Sequence, residues 1–118
     1  MGGEDKRVFP RLNLDVEVNY RPLQQEEAEL FTTASKNISY GGICFIAFEK
    51  PKEGSILELT FSFPELSKFI IARGKVSWVK ELDFSGIRER RIYEVGVEFM
   101  QMSDSDREKI KEYINKKL

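Results

Sequence analysis

Apolar and polar residues alternate along several stretches of the chain, a pattern typical of strands with one buried face. From Leu14 to Tyr20 every second residue is apolar, and acidic or amide residues stand between them. A period of two also runs through residues 57–63, 70–78 and 93–99. Because successive side chains of a strand point to opposite faces, these four stretches are predicted to be half-buried strands.

Two further strands are predicted from weaker or different patterns. Residues 30–38 contain three hydroxyl residues that blur the two faces, but the stretch still favours a strand. Residues 43–48 are apolar on both faces, which predicts a strand in the middle of the structure, with Cys44 as a small core residue.

Residues 70–78 carry two features besides their alternation. Gly74 stands in the middle of this strand and indicates a sharp bend, as small barrels need at their corners. Trp78 continues the apolar face and is predicted to fill the core rather than to serve as a stacking platform.

The chain ends in a predicted helix whose start is well marked. Ser103 is the expected N-cap, and Asp104 and Asp106 favour the positive end of the helix dipole. Apolar residues at helical spacing predict the face that packs on the sheet, and they are Ile110, Tyr113, Ile114 and Leu118.

Six strands followed by one amphipathic helix predict an all-β fold with a C-terminal helix. A six-stranded antiparallel β-barrel is the expected architecture, because closure removes exposed strand edges. We expect an N-terminal arm over residues 1–13, the barrel over 14–102 and the helix over 103–118, within a single domain.

Composition and charge narrow the possible functions. The 118 residues include 19 Lys and Arg against 20 Asp and Glu, so the protein has no bulk positive charge that would attract anions. An anionic ligand would have to bind to a local cluster of basic residues. With no histidine and one cysteine, disulfides, the usual zinc sites and histidine triads are excluded. No stretch approaches the roughly 18 apolar residues of a membrane span, and the polar start is unlike a signal peptide, so a cytoplasmic location is expected.

Residues 37–42, Asn-Ile-Ser-Tyr-Gly-Gly, interrupt an otherwise apolar, strand-forming region. Adjacent glycines here indicate either a tight turn between two strands or a place where a ligand lies against bare backbone. In the second interpretation Asn37 and Ser39 would present donors and acceptors to that ligand.

Upstream, Arg7 and Arg11 bracket Pro10, which fixes its own backbone and favours an extended conformation before it. The segment is either a solvated basic tail or an arm that leads functional arginines into the fold.

Together, the two segments resemble the PilZ family of bacterial cyclic di-GMP receptors. Members carry an RxxxR arm and then, after a strand or two, D/NxSxxG on a six-stranded split barrel with a C-terminal helix. Arg7 and Arg11 match the first motif, and Asn37, Ser39 and Gly42 match the second.

The resemblance extends from about residue 6 to the end of the chain. Residues 74–78 and 96–99 look like the family's late strands. Two positions depart from the common pattern: Lys6 stands where many members have another arginine, and Asn37 stands where aspartate is frequent.

The resemblance implies a receptor for cyclic di-GMP with no enzymatic activity, no cofactor and no metal. Arg7 and Arg11 would contact the guanine edges and phosphates, because a guanidinium can fork onto phosphate oxygens or guanine O6 and N7 and can stack on the base. The arm would close over the ligand and pass the signal to an unidentified protein partner or fused domain.

The second motif would hold the ligand from the barrel side. Asn37 is assigned to a base edge through its amide and Ser39 to a phosphate or base through its hydroxyl. Gly41 and Gly42 would let the ligand approach the backbone.

Three alternatives stay open. One is a PilZ-like docking module that binds no nucleotide, against which the intact motif residues speak. Another is a small barrel that binds single-stranded nucleic acid, which near-neutral charge and inward aromatics disfavour, so no DNA or RNA partner is expected. The third is an enzyme on a flavin-binding split barrel, for which the chain offers no convincing catalytic set.

Overall fold

The structure is a computed structural model, and it describes residues 12–13, 15–23, 30–64, 69–82 and 91–117. These residues form strands and one helix in the order β1 (Leu12–Asn13), β2 (Glu17–Pro22), β3 (Phe31–Ile38), β4 (Gly42–Ala47), β5 (Ile56–Phe61), β6 (Ile70–Leu82), β7 (Ile92–Met102) and α1 (Asp104–Lys117).

Strands β2 to β7 form a closed antiparallel barrel. Neighbouring strands follow the order β3, β2, β5, β6, β7 and β4, and β4 then pairs back with β3. The short strand β1 is additional and lies beside the end of β3, with Leu12 opposite Ile38 and Asn13 opposite Asn37. The predicted fold class, an all-β six-stranded antiparallel barrel with a C-terminal helix, is confirmed.

The core consists of the inward faces of these strands and one face of α1. Except for Trp78, the apolar side chains predicted to face inward from β5, the residues just after it, β6 and β7 are buried, and they are Leu57, Leu59, Phe61, Phe63, Ile70, Ala72, Val76, Tyr93, Val95, Val97 and Phe99. Burial of such a side chain contributes about 1.5–3 kcal/mol, so this cluster is the main source of stability.

The first long strand differs from its predicted bounds. The prediction began at Leu14, which lies outside the described residues, and ended before Arg21, whereas β2 runs from Glu17 through Pro22. Proline is tolerated at this end because the hydrogen bond to β5 is donated by Leu23 N to Ile56 O at 2.9 Å. The missing N–H of Pro22 therefore costs no bond to β5.

Two bulges change which side chains face outward. In β3, Ser35 is opposite Phe45 but Asn37 is opposite Cys44, so Lys36 is an extra residue. This extra residue shifts the alternation by one position and places the side chain of Asn37 on the outer face of the barrel.

In β6, Val76 is opposite Val97 and Trp78 is opposite Gly96, so Ser77 is the extra residue. The prediction that Trp78 fills the core is wrong, because the bulge turns its side chain outward and leaves it 36% exposed. A further irregularity of the β6–β7 pairing falls between Arg73 and Gly74, where the sequence indicates a bend.

Helix α1 closes the end of the barrel where β3 ends and β4 begins. Ser103 Oγ accepts a hydrogen bond from Asp106 N at 3.0 Å, which confirms the predicted N-cap. Ile110, Tyr113 and Ile114 are buried, and the ring of Tyr113 stacks on that of Phe63 at 4.1 Å. Leu118, predicted on the same face, lies outside the described residues.

Candidate functional site

The second motif borders a groove of about 460 Å³ on the outer surface of the barrel. Its lining residues come from β3, the loop that follows it, β4, β6 and β7, and they are Asn37, Ser39, Gly41, Gly42, Ile43, Cys44, Ser77, Trp78, Gly96, Val97 and Glu98. The structure therefore brings the predicted site residues Asn37, Ser39, Gly41 and Gly42 together. The predicted arm residues Arg7 and Arg11 lie outside the described residues.

A larger groove of about 560 Å³ lies at the opposite end of the barrel, between the end of β2, the start of β3 and the loop before β5. It contains none of the predicted site residues. The smaller groove is the better candidate because four residues of one sequence motif converge on it.

Strand register explains the shape of the candidate groove. Asn37 is opposite Cys44, Cys44 is opposite Gly96, and Gly96 is opposite Trp78. This row crosses four strands, so the path from the Asn37 backbone to the Trp78 backbone along the curved barrel surface is three inter-strand spacings of roughly 4.8 Å, or about 14 Å. Cys44 and Gly96 form the floor of the groove, Asn37 forms an amide wall on one side, and Trp78 forms an aromatic wall on the other.

Two glycines of the floor are required by packing. A Cβ on Gly42 would lie 2.4 Å from the carbonyl oxygen of Val97, and a Cβ on Gly96 would lie 2.2 Å from the indole of Trp78. Gly42 thus lets β4 approach β7, and Gly96 provides the surface on which Trp78 lies. The role of Gly42 in ligand approach stays a prediction.

Hydrogen bonds hold the loop between β3 and β4 in place. Ser39 N donates to Gly42 O at 2.9 Å, and Gly41 N donates to Ser39 Oγ at 3.2 Å. Because Ser39 Oγ is the acceptor in the bond from Gly41 N, the Ser39 hydroxyl still has its own proton to donate. The Tyr40 hydroxyl donates to Asn115 Oδ1, which links the loop to α1.

An ion pair lies behind Cys44, one of the residues that line the groove. Glu94 Oε2 lies 2.9 Å from Lys36 Nζ and accepts a hydrogen bond from the Cys44 thiol at 3.4 Å. The hydrogen bond from Lys36 holds the pKa of the Glu94 carboxyl below its usual value, and the same bond raises the pKa of Lys36. Cys44 is buried as predicted, but its thiol contacts this carboxylate on the outer face.

Sequence reasoning missed Trp78 and Glu98 as groove residues. Trp78 was hidden by the bulge, which has no clear signal in the sequence. Glu98 had a signal, because Gly96 and Glu98 alternate with the buried Val95 and Val97 and must share the outer face of β7.

This arrangement suits binding of a planar polar molecule. An amide and a hydroxyl offer hydrogen bonds from one wall, and an indole offers a flat apolar surface on the other. Among the described residues, no group of three acidic or cysteine side chains is placed to hold a metal ion. Within the same ranges, no helix has the length and apolar character needed to cross a membrane.

Comparison with known families gives one match that covers nearly the whole chain. Residues 5–116 match the PilZ domain. No curated protein matches the sequence.

Several solved structures share the fold. The chain is similar to the Bacillus subtilis inhibitor of motility MotI/DgrA, with a TM-score of 0.73 and 22% identity over 94% of this chain and 50% of that one. It is also similar to K. pneumonia MrkH in its c-di-GMP complex, with a TM-score of 0.72 and 16% identity over 92% and 50% of the two chains.

The PilZ domain of YcgR from Escherichia coli, solved with c-di-GMP, has a TM-score of 0.72 and 12% identity over 94% of this chain and 90% of that one. At these identities the likeness concerns the fold. The chain spans about half the length of MotI/DgrA and MrkH.

Proposed function

The chain belongs to the PilZ domain family, and from that premise we propose that it is a receptor domain for cyclic di-GMP rather than an enzyme. Structures of related fold, the MrkH complex and the PilZ domain of YcgR, contain this dinucleotide. The observation that carries the proposal is the groove that gathers Asn37, Ser39, Gly41 and Gly42 beside the point where the arm enters the barrel.

The register of β1 supports a role for the arm. Leu12 is opposite Ile38 in an antiparallel pair, so the described part of the arm lies next to the residue that precedes Ser39. Arg11 directly precedes Leu12 in the sequence, and we assign its guanidinium to the ligand at the Ser39 end of the groove. Four residues of chain, at most about 14 Å, separate Arg7 from Arg11.

In the proposed complex the ligand is held from two sides. The guanidinium groups of Arg7 and Arg11 bind the phosphates and the O6 and N7 atoms of guanine. Asn37 binds a base edge, the Ser39 hydroxyl donates to a phosphate or base, and a guanine stacks on the exposed face of Trp78.

Ligand binding would then change the arm. Closing the arm over the groove orders it, and the charge-assisted contacts to the two phosphates offset the lost entropy. The ordered arm presents a new surface to a protein partner or a fused domain, so the domain acts as a switch and makes or breaks no covalent bond.

Calorimetric titration with cyclic di-GMP tests the proposal, with GTP and cyclic di-AMP as controls. We expect Arg11→Ala to lose about 2–4 kcal/mol of binding free energy, because charge-assisted contacts disappear. Arg107→Ala, at an exposed position of α1, is the matched control and should bind like the wild type. Unchanged affinity in Arg11→Ala would remove the arm from the site, and absence of any wild-type binding would favour the docking module.

Trp78→Ala tests the aromatic wall in the same titration. Loss of base stacking should weaken binding by about 1–3 kcal/mol, and Trp78→Phe should retain part of it. Equal affinity of Trp78→Ala and the wild type would place the bases elsewhere.

A further inference from the structure

Glu98 brings a negative charge to the groove. It lies on the outer face of β7, with Gly42 opposite on β4 and Lys75 opposite on β6. Of the described residues that line the groove, Glu98 alone carries a formal charge. The side chain of Glu98 is exposed, so its carboxylate can contact a ligand without any rearrangement of the hydrophobic core.

This charge restricts where a phosphate can lie. Two like charges 4 Å apart repel by about 1 kcal/mol in water and about 4 kcal/mol near a protein surface. A phosphate of the dinucleotide is therefore disfavoured beside Glu98 and favoured near Ser39, about two inter-strand spacings or 10 Å away, where the arm enters. The Glu98 side of the groove is left for a base.

Guanine is the base that matches a carboxylate. Its Watson–Crick edge carries two adjacent donors, N1–H and N2–H, which can both meet the two carboxylate oxygens. Adenine presents an unprotonated N1, whose lone pair would face the negative charge. The guanine O6 and N7 atoms remain available to the arginines, because N7 and N2 lie on different edges of the base.

We propose that Glu98 is a specificity residue that selects guanine by accepting hydrogen bonds from N1–H and N2–H of one base of the dinucleotide. This inference rests on the proposed function, since it concerns the same groove. Lys75 on the neighbouring strand stands on the side of Glu98 away from Gly42 and offsets part of the charge that the dianionic ligand meets.

The test compares cyclic di-GMP with cyclic di-IMP, whose hypoxanthine bases lack the 2-amino group. Both are titrated by calorimetry into the wild type, Glu98→Gln, Glu98→Ala and Glu112→Gln, the last being a matched loss of charge at an exposed position of α1. We expect the wild type and Glu112→Gln to prefer cyclic di-GMP by about tenfold or more, as a charge-assisted hydrogen bond provides. In both Glu98 variants the affinity for cyclic di-GMP should fall about tenfold or more, and the preference should shrink to about threefold or less.

The outcomes separate the two proposals. A wild type that binds neither dinucleotide refutes the proposed function itself. A wild type that binds cyclic di-GMP, with Glu98 variants that keep its affinity and its preference, overturns only the role of Glu98. Tighter binding by Glu98→Gln would also overturn it, because the carboxylate would then only repel the ligand. Glu98→Gln keeps the size of the side chain, so a change in its binding cannot be assigned to lost volume.

Discussion

Substitution of Gly42 by alanine should destabilise the barrel through a backbone clash. The added Cβ would lie 2.4 Å from Val97 O, against 3.4 Å for the start of ordinary contact, so the two strands must separate by about 1 Å. Overpacking of this kind costs about 1–3 kcal/mol, and one weakened ladder hydrogen bond adds about 1 kcal/mol. Removing a glycine from a strand returns about 0.5–1 kcal/mol. The expected net loss is about 1–3 kcal/mol, or roughly 4–12 °C in Tm for a domain of this size.

Urea denaturation of Gly42→Ala and of Gly96→Ala forms a matched comparison. The clash at Gly96 is even shorter, at 2.2 Å, but it is with the indole of Trp78, which is partly exposed and can turn outward. Gly96→Ala should therefore lose less stability and should shift the fluorescence of the only tryptophan toward longer wavelength. A Gly42→Ala variant whose free energy of unfolding stays within about 0.5 kcal/mol of the wild type, the usual range for a harmless substitution, would refute the backbone clash. So would a Gly42→Ala variant that loses less stability than Gly96→Ala.

Three further predictions concern stability. Ser103→Ala removes the acceptor for Asp106 N and should cost about 1 kcal/mol in urea denaturation; no loss would mean that the cap contributes nothing. Lys36→Met removes the hydrogen bond that lowers the pKa of Glu94. The stability that this bond provides is present above the usual pKa of glutamate and is lost as pH falls through the lowered pKa of Glu94. The variant should thus be less stable than the wild type at neutral pH, and the gap should close in acid; a gap that persists there would contradict the assignment. Burial, with a nearby carboxylate, raises the pKa of Tyr20 to about 12. The contribution of Tyr20 to stability is therefore full below the usual pKa of 10.0 and should be lost as pH rises through about 12. Tyr20→Phe should reduce this loss of stability at alkaline pH, and an unchanged loss would exclude Tyr20 as its source.

Much of the fold could be predicted because alternation is a direct consequence of strand geometry. The inward residues of β5 and β7 follow from the period of two alone, and a closed barrel follows from the need to pair every edge. The cap at Ser103 was predictable for a similar reason, since the first turn of a helix needs an acceptor for its unpaired N–H groups.

The site was less predictable because it depends on two inserted residues. The extra residues Lys36 and Ser77 are of types that also occur at ordinary exposed positions of strands, so nothing in the sequence marks either bulge. Each bulge nevertheless re-aims the side chain that follows it, Asn37 in one strand and Trp78 in the other. The polar wall was found through its motif, and the aromatic wall required the strand register.

The closed barrel limits how another protein can engage this domain. Each of the strands β2 to β7 has a neighbour on both sides, and the end of β3 is flanked by β1 and β4. Recognition by β-augmentation, in which an extended peptide joins a sheet as a new strand, needs an unpaired edge. Among these six strands the register leaves such an edge on the second half of β6, beyond Val76, because β5 pairs only with residues 70–75 of that strand. Outside that edge a binding protein must recognise side chains on the barrel surface, on α1 or on the arm, and single surface substitutions can map that contact without disturbing the backbone ladder.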